Sequence, residues 1–161
     1  MSAQPASAEN VFLTPQGFLD HWQGHRRLTR RVIEAYPEGQ FNTFAIGGMR
    51  PFGTMAVELL RMAAPSVRGI LTGDWTQTVT ADPKPRDEVL RLWDESTKEM
   101  NDLWPRIPAS RFQETLKAFG QYEDTAYRLA LYLVDNEVHH RGQGYVYLRA
   151  LNVEPPHFWE R

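Results

Sequence analysis

Apolar residues recur at three- and four-residue steps in four long stretches of the chain, the spacing that gathers them on one face of a helix. The first stretch opens with Thr14 and Pro15, the usual order of an N-cap and a first helical residue, and it ends at Pro37. Its expected inward residues are Phe18, Trp22, His25, Thr29, Val32, Ile33 and Tyr36. The pattern therefore predicts an amphipathic helix between the two prolines.

The second and third helices are delimited by prolines. The second is predicted to begin near Pro51, with Phe52, Met55, Leu59 and Met62 facing inward. Pro65 is expected to interrupt it, because proline has no backbone N–H to continue the helix. The third should follow Pro85 and end at Pro105 and Pro108. Its inward residues are Val89, Leu92, Trp93, Ser96, Met100, Leu103 and Ile107.

The last helix is predicted over residues 122–152. Its inward stripe is Leu129, Leu133, Asn136, His140, Gln143, Tyr147 and Leu151. The preceding stretch, "SRFQETLKAFGQYEDT", is expected to be extended and has no clear hairpin signal. Four amphipathic helices joined by loops predict an all-α fold, a four-helix bundle over residues 14–161. Residues 1–13 are small and polar, and we expect a flexible tail.

Composition narrows the functional classes. With 161 residues, 42% hydrophobic and 12% aromatic, the chain can bury one sizeable core. A net charge of -2 gives no electrostatic basis for binding nucleic acid. No apolar run could cross a bilayer, and the first ten residues lack the basic start and apolar segment of a secretion signal. We therefore expect a cytoplasmic protein. Without cysteine it has no thiol nucleophile and no cysteine metal site.

Polar residues interrupt the apolar faces of three helices. They are His25 in the first helix, Glu58 in the second, and Asn136, Glu137, His140 and Gln143 in the last. Buried polar groups need partners, and two kinds of partner stay open. A divalent metal would accept imidazole and carboxylate, whereas a polar network would satisfy the same groups by hydrogen bonds. His139, about 100° round the helix from His140, is expected on a flank.

The tryptophans and the arginine cluster have simpler interpretations. We expect Trp22, Trp93 and Trp104 in the core. Arg26, Arg27, Arg30 and Arg31 are expected on a solvated face, where they could also bind a carboxylate or phosphate.

Two sequence segments resemble the DinB/YfiT superfamily. "HHRGQ" at residues 139–143, followed by a leucine-bearing helix end and "PP", is similar to the closing signature of that family. "GGMRPFGTMAVELL" at residues 47–60 resembles the start of its second helix. The resemblance extends over nearly the whole chain. It implies an up-down four-helix bundle, usually a homodimer, in a family where many members hold a divalent metal.

The resemblance also implies a set of metal ligands. The metal of the family is typically held by one histidine of the second helix and a His-x-x-x-His pair of the fourth. These positions fall on Glu58, Asn136 and His140, so one histidine of three is kept. Zn, Ni, Mn or Fe would suit a glutamate and an imidazole. His25, Glu137 and Gln143 are then expected as pocket residues or supports of the ligands. A site that has lost its metal and kept its pocket is the alternative.

The function implied by the resemblance is a metal-dependent S-transferase that uses an external low-molecular-weight thiol, of the bacillithiol or mycothiol type. Because the chain has no cysteine, such a thiol would come from outside. Two alternatives stay open. One is a non-catalytic, stress- or damage-inducible binding protein with a degenerate metal site. The other is a metal-dependent hydrolase in which Glu58 acts as general base.

Overall fold

The structure, a computed structural model, describes residues 11–161 and is mostly helical, in agreement with the expected all-α class. Most of the expected flexible tail, residues 1–10 of 1–13, lies outside the described residues. The helices are α1 (Pro15–Ala35), the short α2 (Glu38–Phe41), α3 (Phe52–Thr72), α4 (Arg86–Leu103) and α5 (Ala126–Ala150). Two 3-10 turns, Trp104–Arg106 and Ala109–Gln113, precede strands β1 (Thr115–Ala118) and β2 (Tyr122–Thr125). Within the described range, no helix is both long and apolar enough to span a bilayer.

The four long helices enclose the core. α3 packs against α4 and α5, and α1 packs against the same two helices. Trp22, Trp93 and Trp104 are almost completely buried, which confirms their expected core positions. α5 approaches α3 closely at Gly144, where an added Cβ would lie 2.6 Å from the Phe52 ring. The core therefore brings the inward faces of α3 and α5 together.

The first helix begins as predicted. The hydroxyl of Thr14 accepts a hydrogen bond of 3.0 Å from the Gly17 amide, so Thr14 is the N-cap and Pro15 the first helical residue. This contact satisfies one of the amides that the start of a helix leaves without a partner.

The predicted interruption at Pro65 is wrong, because α3 continues through it. A proline inside a helix leaves the carbonyl four residues earlier without its N–H donor. Here that carbonyl belongs to Arg61, and it accepts a hydrogen bond of 3.0 Å from the side-chain amide of Gln77. A residue of the following loop thus supplies the missing donor, and the helix stays intact.

The segment before α5 also differs from the prediction. β1 and β2 form an antiparallel hairpin that pairs Ala118 with Tyr122, so α5 begins at Ala126 rather than at residue 122. Phe119 and Gly120, in the turn, both have positive φ. Hairpin turns of this kind usually carry Asn-Gly or Asp-Gly, whereas this turn has Phe-Gly, so the hairpin was not predicted. The Phe119 ring packs against Trp75, a tertiary contact that the local sequence does not reveal.

Candidate functional site

The site lies between α3 and α5, where the three positions assigned by the resemblance meet. The Nε2 atom of His140 lies 3.1 Å from Oε1 of Glu58. The side-chain amide of Asn136, one turn earlier on α5, lies 3.4 Å from the same oxygen. His140 is buried and Glu58 is about one-third exposed, so the cluster lies at the edge of the core with access to solvent.

Arg50, which precedes α3, completes the cluster. Its Nη1 atom lies 2.5 Å from Oε2 of Glu58, and its backbone carbonyl accepts a hydrogen bond from the Tyr147 hydroxyl. The hydrogen bond from His140 contributes most to lowering the pKa of Glu58. Arg50 adds to it, and together they outweigh the opposing effect of burial and bring that pKa to about 2. Glu58 is therefore a firmly ionised carboxylate with both oxygens engaged.

Arg50 was not predicted as a site residue from the sequence. No motif marks Arg50, but the need of Glu58 for a partner could have indicated it. A carboxylate on an inward face needs a cationic partner, and Arg50 is a basic residue directly before the helix that carries Glu58.

Gln143 extends the cluster along α5. Its Oε1 atom lies 3.3 Å from Nδ1 of His140, and its Nε2 atom lies 3.2 Å from Nε2 of His139. Both ring nitrogens of His140 thus have side-chain oxygens opposite them. His139 itself is exposed, which confirms its predicted position on the helix flank.

Glu137 lies in a separate cluster, between α1 and α5. It is almost fully buried, and its two oxygens accept hydrogen bonds from the Thr29 hydroxyl at 2.6 Å and the Trp22 indole at 3.2 Å. Arg141, one turn later, lies 4.0 Å from the carboxylate. Burial raises the pKa of Glu137, against the opposing influence of Arg26, Thr29 and Arg141.

His25 belongs to this second cluster rather than to the contact between α3 and α5. Its Nδ1 atom lies 2.9 Å from a guanidinium nitrogen of Arg141, and its Nε2 atom faces His21 at 3.2 Å and Arg161 at 3.3 Å. Burial, then Arg141, His21 and Arg161, lower the pKa of His25 to about 4. The ring is neutral at neutral pH. The structure thus brings Glu58, Asn136, His140 and Gln143 together, and places His25 and Glu137 apart from them.

The expected solvated arginine face is wrong for Arg26. This side chain is 1% exposed, and its guanidinium lies 4.1 Å from the centre of the Trp93 ring. It also donates to the hydroxyls of Thr97 and Ser96 on α4. The apolar face of Trp93 and these polar partners explain how a charged side chain is accommodated there. Arg26 is therefore not available to bind a substrate anion.

The donor set of the site does not fit a stable metal centre as it is arranged. Glu58 and His140 are suitable ligands, but the Asn136 amide is neutral and weak. Across residues 11–161, no three or more histidine, cysteine, aspartate or glutamate side chains are grouped so that they could hold an ion. Arg50 and His140 occupy both oxygens of Glu58, so a metal would have to displace them.

Comparisons with known proteins identify the family. The model of the DinB family matches residues 8–160. A DinB-like protein from Bacillus cereus ATCC 10987 is 15% identical, with a TM-score of 0.72 over 92% of this chain and 100% of that chain. The DinB-like protein YjoA from Bacillus subtilis is 16% identical, with a TM-score of 0.73 over 89% of this chain and 99% of that chain. At these identities the likeness shows the fold alone, and no curated protein matches the sequence. The chain belongs to the DinB family.

Proposed function

We propose that this DinB-family protein binds a small polar molecule at the Glu58–His140 site without a metal, as a non-catalytic binding protein. The observation that carries the proposal is that both oxygens of Glu58 are already paired, with Arg50 at 2.5 Å and His140 at 3.1 Å. The proposal includes the up-down bundle and the homodimer that the family resemblance implies. Cytoplasmic location and damage-inducible expression stay predictions.

The charges of the site support this proposal. Arg50 and His140 each contact one oxygen of Glu58. In a metal site, the metal ion would take the place of these partners on the carboxylate. Arg50 is about half exposed, and its guanidinium has N–H donors in addition to the one that binds Glu58. Those donors suit an anionic group on the ligand, such as a carboxylate or a phosphate.

Glu58 is poorly suited to be the general base of a hydrolase. A general base is most effective when its pKa lies near the working pH. The pKa of Glu58 is about 2, so the carboxylate has little tendency to take a proton from water at neutral pH. The lowered pKa therefore counts against the hydrolase in which Glu58 acts as general base.

A second candidate is the metal-dependent S-transferase that uses an external low-molecular-weight thiol. The observation in its favour is that one oxygen of Glu58 lies 3.1 Å from Nε2 of His140 and 3.4 Å from the side-chain nitrogen of Asn136. The resemblance assigns the metal ligands of the family to these three positions. The three side chains would be the metal ligands once Arg50 had moved aside.

Elemental analysis of untagged protein, purified without chelator, separates the two candidates. The binding proposal expects far less than one metal ion per chain, with the same content in a His140→Ala variant. Near-stoichiometric Zn, Ni, Mn or Fe that is lost in the variant would overturn it and lead to thiol-transfer assays. In metal-free buffer, succinate and inorganic phosphate should raise the melting temperature of the protein, and Arg50→Gln should remove that effect.

A further inference from the structure

Residues 157–161 lie against the outer side of α1, and we call them the C-terminal strap. Arg31 of α1 donates to the carboxylate of Glu160 at 2.9 Å and to its backbone carbonyl at 3.3 Å. Arg161 lies over Gly24, where an added Cβ would be 3.3 Å from the Cβ of Arg161. The other three side chains of the strap are exposed. The strap is therefore attached to α1 mainly through its last two residues.

Arg161 also reaches the buried ring of His25, which has a basic group opposite each of its nitrogens. Nδ1 lies 2.9 Å from a guanidinium nitrogen of Arg141 on α5. Nε2 lies 3.2 Å from Nε2 of His21 and 3.3 Å from Nη1 of Arg161. The acidic group on this side of α5 is Glu137, which lies 4.0 Å from the guanidinium of Arg141 and forms no hydrogen bond with the ring. The ring is thus enclosed by basic groups of three elements.

This arrangement accommodates His25 only in its neutral form. A guanidinium donates hydrogen bonds and accepts none, so Nδ1 of His25 has to accept the hydrogen bond from Arg141. A protonated ring carries an N–H group on both nitrogens. It would lose the hydrogen bond from Arg141 and would place a third positive charge between two guanidiniums. The lowered pKa of His25, about 4, agrees with this geometry.

The two guanidiniums beside His25 differ in how firmly they are held. Arg141 is buried, and it also donates to the Thr29 hydroxyl at 3.0 Å and to the backbone carbonyl of His25 at 3.2 Å. Arg161 is exposed, and among the residues that the structure describes its guanidinium has one polar contact, with His25. A positive charge on His25 therefore displaces Arg161 more easily than Arg141, because Arg141 would have to give up several buried contacts.

We propose that the C-terminal strap is a pH-sensitive device, which lies on α1 while His25 is neutral and leaves α1 when His25 takes up a proton. Departure of Arg161 removes one like charge and opens the ring to water, so the released form accommodates the charged ring better. Attachment of the strap and protonation of His25 thus oppose each other. Below the pKa of His25, each pH unit shifts the attachment equilibrium towards release by up to about 10-fold, the limit for one proton.

Backbone ¹⁵N relaxation of the full chain, followed from pH 7 to pH 3.5, tests the release. In the wild type, the amides of residues 157–161 should become mobile with a midpoint near pH 4, the pKa of His25, while those of α3 and α5 stay rigid. His25→Asn cannot take up the proton, so its strap should stay attached over the same range. Glu160→Gln is the matched control, because its contact with Arg31 no longer titrates, and the release should persist in it.

A second variant keeps the test valid if the buried substitution His25→Asn prevents folding, which circular dichroism would reveal. Arg161→Gln, at an exposed position, removes the like charge and should keep the strap on α1 at low pH. Release at the same pH in the wild type and in either of these two variants, once folded, would overturn the proposal. A strap that is already mobile at pH 7 in the wild type would also overturn it.

The reciprocal effect is measured on His25 itself, through the NMR signals of its ring. Gly24→Leu places a side chain where Arg161 lies, so it should displace the strap at every pH. The pKa of His25 should then rise from about 4 part of the way towards 6.5. Gly142→Leu, at a position where an added Cβ meets no atom within 4 Å, is the control and should leave that pKa unchanged. An unchanged pKa in Gly24→Leu would show that strap and proton are not linked. Neither test uses the site between α3 and α5, so the outcome is independent of the proposed function.

Discussion

Nε2 of His140 on α5 lies 3.1 Å from Oε1 of Glu58 on α3, at the edge of the core, where Glu58 is partly exposed to solvent. The same carboxylate binds Arg50 through its other oxygen. The negative charge of Glu58 is thus compensated within the protein, by partners from the loop before α3 and from α5. This compensation of charge within the protein has measurable consequences.

The energetic coupling of Glu58 and His140 is the first consequence. In chelator-treated protein, Glu58→Ala and His140→Ala should each lower the free energy of unfolding by roughly 1–3 kcal/mol, because each leaves a partner unsatisfied. The double variant should lose clearly less than the sum of the two. Urea unfolding of the wild type, both single variants and the double variant measures the coupling. If the losses add exactly, the two side chains do not form a pair that contributes to stability.

The acid stability of the protein should depend on Glu58. Its pKa is about 2 in the folded chain against the usual 4.5, so folding favours the charged form. The resulting stabilisation is complete above about pH 4.5 and is lost as the pH falls towards 2. Glu58→Gln should therefore differ most from the wild type above pH 4.5, and the difference should shrink below it. Urea midpoints from pH 6 to 2.5 measure this.

The control for the acid series is Glu123→Gln, on the exposed side of the hairpin. This variant should follow the wild type throughout. A gap between the wild type and Glu58→Gln that stays constant over the whole pH range would mean that the pKa of Glu58 is not lowered.

The sequence predicted the four long helices from apolar periodicity and from the prolines near their ends, which are local properties. The break expected at Pro65 was wrong, because the donor that replaces the missing N–H comes from the loop after α3. It also found the residues that meet at the site, since Glu58, Asn136 and His140 break apolar faces and match the family positions. Arg50 was missed because its role depends on how the loop before α3 folds back over that helix. His25 was expected near the site because apolar periodicity shows that it lies on the inward face of α1. Periodicity does not show which helix that face packs against.

His25 should make stability depend on pH in a different range. Its pKa is lowered from 6.5 to about 4, so between these values the unfolded chain binds a proton that the folded chain does not. Stability is therefore complete above about pH 6.5 and falls as the pH drops towards 4. In His25→Asn, the slope of unfolding free energy against pH should be smaller by up to about 1.4 kcal/mol per pH unit. His157→Asn, at an exposed position, is the control. Equal slopes in the wild type and His25→Asn would contradict the assignment.

Two neighbouring arginines should differ sharply in their contribution to stability. Arg26→Met loses the stacking on Trp93 and the hydrogen bonds to Thr97 and Ser96, so it should cost about 2 kcal/mol. Arg27→Met, at the exposed neighbouring position, should change the unfolding free energy by less than about 0.5 kcal/mol. Urea unfolding of both variants makes the comparison. Similar losses at the two positions would show that the buried contacts of Arg26 contribute little.

The continuity of α3 through Pro65 should depend on Gln77. In the wild type, Gln77→Ala removes the donor to the Arg61 carbonyl and should cost about 0.5–1 kcal/mol. In a Pro65→Ala background, the new backbone N–H of residue 65 can bond to that same carbonyl, so the cost of Gln77→Ala should become smaller. Lys98→Ala, an exposed control on α4, should cost the same in both backgrounds. Urea unfolding of each background alone, with Gln77→Ala and with Lys98→Ala measures the coupling. An equal cost of Gln77→Ala with proline or alanine at position 65 would mean that the side-chain amide does not replace the missing helical hydrogen bond.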